Sequence, residues 1–255
     1  MKLSRVLAVA AIVVLAVVGI SDVSADLVGG DTLGIDFDAT DMGGMAPLAL
    51  LNFNHYNDTG LLDGATGSLG GPIIDTDGGV LAGVGFTLTN LSGLSTNRAS
   101  SSGGSLFGDF DATVYGDRVI SNDSSRVGRI TDGDIVIDGM NDRAHFVLRF
   151  SGLDDSLTYD LFGGHHTDNP NSNFDTIWQV AQRGGVITSS ANFEHSFSSL
   201  VTDGAGNLEI YVIRRSNDDG DHVTISGLTL TAVPEPGSLT ILGLGFMLVA
   251  LRRRK

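Results

Sequence analysis

The sequence predicts an all-β protein, a jelly roll or β-sandwich, flanked by an N-terminal signal peptide and a short C-terminal hydrophobic helix. Three observations carry this. Alternation of period two recurs along the body, as a strand with one buried face requires. No stretch of the body shows a long helical period with caps. Glycine is abundant, at 35 residues, and the body's acids are aspartate except for Glu194 and Glu209, placed beside Gly, Asn and Ser as turns demand.

At the N-terminus, Lys2 and Arg5 precede an apolar run from Val6 to Ile20, and Val23-Ser24-Ala25 offers small residues for cleavage between Ala25 and Asp26. Residues 1–25 therefore read as a signal peptide. A permanent anchor is the alternative, but the run is shorter than the roughly 20 residues that cross a bilayer core.

Residues 26–232 form one domain in this reading, long enough to bury a core. Strands are expected at Val84 to Leu88, Asp111 to Tyr115, Asp134 to Ile137, Ala144 to Phe150, Leu157 to Phe162, Thr176 to Gln182, Leu208 to Arg214 and His222 to Ala232. Gln182-Arg-Gly-Gly-Val186 and Asp203-Gly-Ala-Gly-Asn207 read as turns needing positive φ. Residues 92–105, rich in Ser and Gly, read as a surface loop or a linker.

The segment 233–255 has three parts: Val-Pro-Glu-Pro-Gly-Ser, an apolar run of 13 residues from Leu239 to Leu251, and the basic stop Arg252, Arg253, Arg254 and Lys255. A helix of that length spans about 20 Å of a hydrocarbon core near 30 Å, a marginal span. The basic end favours the cytoplasmic side, leaving the body outside. An ordinary tail anchor is the competing reading.

The whole chain carries a formal charge of −15. Between the two removable ends, nine arginines face 28 acids, a net charge of −19. Nucleic acid and anionic lipid are disfavoured as partners, because each approaching phosphate is repelled. Cations and neutral glycans remain. With no cysteine, an exported domain holds together by packing and not by disulfides.

Candidate chemistry is sparse. Gly163-Gly-His-His-Thr-Asp-Asn-Pro-Asn171 gathers His165, His166 and Asp168, types that ligate transition metals, with a solvated loop as the competing explanation. Asp218, Asp219 and Asp221, with Asp75 and Asp77 elsewhere, are calcium candidates, although neither segment has EF-hand spacing. No cofactor is otherwise indicated and no catalytic residue is assigned. The chain has no Gly-x-Ser-x-Gly elbow, no His-Glu-x-x-His and no thiol. Trp178 reads as core in preference to a sugar-stacking platform, and Tyr115, Tyr159 and Tyr211 are read the same way.

Val-Pro-Glu-Pro followed by an apolar run and Arg-Arg-Arg resembles the PEP-CTERM sorting signal of exopolysaccharide-producing Gram-negative bacteria. The resemblance implies that Pro234, Glu235 and Pro236 are recognised by an exosortase, an integral-membrane cysteine protease, after transient inner-membrane retention and signal-peptidase processing. It also implies a destination at the cell surface or extracellular matrix. A second resemblance, to jelly-roll domains of the galactose-binding-like type, rests on Phe146-Val-Leu-Arg-Phe-Ser-Gly-Leu153, Thr158-Tyr-Asp-Leu-Phe-Gly-Gly164, Asn192, Asp203-Gly-Ala-Gly-Asn-Leu-Glu-Ile-Tyr-Val212 and Ile225-Ser-Gly-Leu-Thr-Leu230. It implies fold and assigns no sugar-contacting residue. The functional expectation is a non-catalytic structural or adhesive protein associated with exopolysaccharide. One alternative is a carbohydrate-binding module using loops near 163–175 and 215–222; another is a polysaccharide hydrolase or lyase.

Overall fold

A computed structural model describes residues 27–37, 52–56, 61–62, 64–69, 71–91, 97–99, 118–121, 129–131, 134–136, 144–164, 176–192, 194–214 and 223–234. The predicted signal peptide, the strand expected at 111–115 and the hydrophobic tail lie outside them. The regular structure of the described residues is almost wholly strand, in two main sheets that enclose one core, as an all-β sandwich requires.

The first sheet has five strands. At its centre, β16 (Gly227–Val233) runs antiparallel to both β1 (Thr32–Asp36) and β10 (Thr158–Gly164). Outside these lie β13 (Glu194–Leu200), against β10, and β2 (Asn54–His55), parallel to β1. The second sheet has six strands in the order β12 (Val186–Asn192), β11 (Thr176–Gln182), β14 (Leu208–Arg214), β9 (Ala144–Ser151), β4 (Gly85–Asn90) and β3 (Thr66–Ser68). Two small sheets complete the set. One orders β15 (Val223–Ile225), β6 (Arg118–Ser121) and β5 (Asn97–Ala99); the other pairs β7 (Arg129–Thr131) with β8 (Asp134–Val136).

Alternation decides which residues meet between the sheets. Phe146, Leu148 and Phe150 of β9 and Phe86 and Leu88 of β4 face Leu161 of β10 and Leu228 and Leu230 of β16 in a shared core. Aromatic rings fill it: the centroids of Phe86 and Phe150 are 5.1 Å apart, and Phe37, Tyr56 and Phe86 form tilted and edge-on pairs at 5.5 to 6.1 Å. Trp178 is fully buried in the same core.

Several expectations need correction. The segment His222 to Ala232, read as one strand, is two strands in different sheets. Ser226 divides them, donating its N–H to Gly164 O at 2.9 Å and accepting from Phe37 N at 3.1 Å. The Ser/Gly-rich stretch 92–105 contains strand β5, paired with β6. Strand β9, read as having one buried face, has both faces covered at its start, where Ala144, His145 and Phe146 are all buried. The cause is a second apolar cluster on the other face of the six-stranded sheet, formed by Ala144, Ile177, Tyr211 and Ile213. The two predicted turns stand: Gly184 and Gly185 have φ of 78° and 74°, and Gly204 and Gly206 have 95° and 73°.

Candidate functional site

Register divides the sandwich into two chemically different ends. Thr158 pairs with Val233, Tyr159 with Leu200, and Thr32 with Thr231. The turns 28–31, 152–157 and 201–207 therefore gather where β16 leaves the sheet, beside Pro234. At the opposite end Gly164 and Asp36 both pair with Gly227, and Thr176 pairs with Arg214.

The end at Pro234 is built from aspartates acting on their own backbone. Asp203 Oδ1 accepts from Ala205 N at 2.7 Å and Asn207 N at 3.1 Å, while its Oδ2 accepts from Asn207 Nδ2 at 2.9 Å. These bonds, the one from the Asn207 side chain foremost, hold the Asp203 carboxyl below the usual range. Asp154 Oδ1 accepts from Ser156 N at 2.8 Å and Ser156 Oγ at 2.7 Å, and Tyr159 O–H donates to Asp154 O at 3.0 Å. Asp155 ties the turns together. It accepts a short bond from Thr202 Oγ1 and one from Gly206 N at 3.0 Å, and Arg183 Nη2 lies 3.6 Å away. The Thr202 bond is the main cause of a lowered carboxyl pKa.

The calcium candidates Asp218, Asp219 and Asp221, and also His165, His166, Asp168 and Tyr115, lie outside the described residues. Asp75 and Asp77 are described. Asp75 Oδ1 accepts from Asp77 N at 2.9 Å and Gly79 N at 2.7 Å, which closes a turn. No group of three or more metal-ligating side chains forms among the described residues.

At the opposite end, the strand ends flanking residues 165–175 and 215–222 come together, and buried polar side chains concentrate there. Asp36, His145, Thr176, His195, Arg214, Thr224 and Ser226 are all at most 5% exposed. His195 stacks on Trp178 with ring centroids 4.7 Å apart and bonds Thr176 Oγ1 through Nε2 at 2.9 Å. Asp36 Oδ2 lies 3.6 Å from His55 Nδ1. Buried polar groups are costly unless paired, so their gathering at one end gives it a chemistry the apolar middle lacks. Tyr159 and Tyr211 are also buried; burial first, then the bond from its O–H to Glu209 Oε2 at 2.9 Å, pushes the Tyr211 phenol up to about 12. Sequence reading found the turns and Trp178. It missed His195 and the Asp155 network, whose members are brought together only by strand pairing.

These features define an all-β sandwich whose central strand, β16, leads directly into the C-terminal segment. Residues 232–255 match the family model of the PEP-CTERM protein-sorting motif. The chain carries the PEP-CTERM sorting motif, which marks it as an exosortase target exported to the cell surface or extracellular space. No helix among the described residues is long and apolar enough to cross a membrane. No curated protein matches the chain in sequence. Among solved structures, it is similar to the crystal structure of protein YXIM from Bacillus subtilis, at 14% identity and a TM-score of 0.37. The alignment covers 80% of this chain but 40% of that longer one.

Proposed function

We propose that this protein is a non-catalytic structural or adhesive component of the cell surface or exopolysaccharide matrix, with one end given to sorting and the other displayed. One observation carries this reading: β16 has Pro234, the first residue of the sorting motif, at one end and the polar strand ends at the other. Its seven residues set the two about 23 Å apart along the strand. The described aspartates at the sorting pole support a structural role, since their oxygens are engaged in holding turns.

A second reading, a carbohydrate-binding module, is favoured by the buried polar residues at the displayed end. It sits where strand ends flank residues 165–175 and 215–222. Binding of the purified processed protein to the host exopolysaccharide and a glycan panel, with calcium and with chelator, separates the two. Diffuse, salt-sensitive association with the polymer is expected for a matrix component. Saturable binding to one sugar class, competed by the free sugar, would replace that reading with the module. Release of product from the polymer would make the protein a hydrolase or lyase and overturn both.

A further inference from the structure

The sorting motif begins on the folded domain, not beyond it. Gly30 N donates to Ala232 O at 2.7 Å, and Ala232 N donates to Asp31 O at 3.0 Å. Val28 N donates to Asp31 Oδ2 at 3.1 Å, closing the turn, and Leu27 at its start is fully buried. Gly29 in this turn stands directly against Pro234. A β-carbon on Gly29 would lie 2.5 Å from Pro234 Cγ and 3.1 Å from its Cβ and Cδ. Gly29 is not among the residues of positive φ, so its backbone would accept alanine without strain. What excludes a side chain there is the proline ring. Pro234 is half-buried. It is at once the last described residue packed on the domain and the first of Pro-Glu-Pro.

Chain length then limits where an enzyme can work. Four residues, 235 to 238, separate Pro234 from the apolar run that starts at Leu239. Even fully extended, the steps from Pro234 to Leu239 cover about 17 Å at most. A membrane enzyme reading the motif within that interval works against the domain surface, because nothing longer separates the two.

We propose that exosortase reads the motif on the folded domain, with Gly29 as a positioning residue. The turn 27–31 seats Pro234, gives the motif a fixed starting point, and forms the surface that faces the enzyme. This rests on the chain being an exosortase substrate, and it adds that the substrate is a folded wall plus a motif. The Leu27–Asp31 turn and β1 come from the opposite end of the sequence, so the seat exists only once β1 has paired with β16. Closure of the first sheet therefore precedes efficient cleavage.

The test is pulse–chase conversion of full-length precursor in the native host. Three variants are compared with wild type: Gly29→Ala, a four-residue Gly/Ser insertion between Val233 and Pro234, and replacement of Pro234, Glu235 and Pro236 by alanine. Loss of a fixed position for a reacting segment is expected to slow conversion of the first two by about threefold or more. The insertion leaves every residue of the domain and of the motif unchanged, so its rate decides the matter even if Gly29→Ala lowers the melting temperature. Conversion of the insertion variant at a rate closer to wild type than that, or faster, overturns the proposal. The triple alanine variant is expected to remain precursor. If it is converted like wild type, the sorting reading itself fails, which is a separate result.

Discussion

Asp155 joins three turns that are far apart in sequence, through Thr202, Gly206 and Arg183. Its ion pair with Arg183 is exposed and contributes little, so the neutral donors matter more. Because its folded-state pKa lies below the ordinary carboxylate value, the carboxylate's contribution is present above that ordinary value and is lost as pH falls through the folded pKa. Asp155→Asn is therefore expected to lower the melting temperature near neutrality, with the deficit shrinking below about pH 4. Thr202→Val should act in the same direction. Melting curves collected across that range check this; a deficit that stays constant with pH would mean the charge is not the source.

At the scale of elements, packing between the sheets dominates. Phe150 is fully buried, tilted against Phe86, and belongs to the strand paired with both β4 and β14. Phe150→Ala should cost about 3–5 kcal/mol, the usual range for deleting a buried ring, and denaturant unfolding with an unchanged slope would measure it. Legibility in the sequence followed the same packing. Thr176–Gln182 and Leu208–Arg214 were readable to the residue because apolar and β-branched side chains fill them. Strand β1 was not, although it is central. Its Thr-Leu-Gly-Ile-Asp is buried on nearly every residue, which erases the alternation, and Gly34 is kept small by the ring of Phe53. Strand β13 hid behind its serines, with His195, Phe197 and Leu200 as its inward residues. The seat of Pro234 depends on β1 meeting β16 across about 200 positions, and no local pattern encodes such a pairing. The tail was legible because its signal is linear: a motif, an apolar run and a basic end.

For the whole molecule, one core is shared by both sheets, so the described sandwich should unfold as a unit. Trp178, the sole tryptophan, is fully buried in that core and stacked on His195. Its fluorescence should shift to the red at the same midpoint at which the far-ultraviolet circular dichroism of the strands is lost. Separate midpoints would show that the two sheets come apart independently. The position of β16 has a mechanical consequence as well. A pull on the chain at Pro234, resisted at the polar end, is directed along β16, which is bonded on one side to β1 and on the other to β10. Such a force loads both ladders in shear. Many hydrogen bonds must then yield together, whereas a strand peeled from a sheet edge gives way one bond at a time. A domain tethered by this strand would be held by two ladders at once.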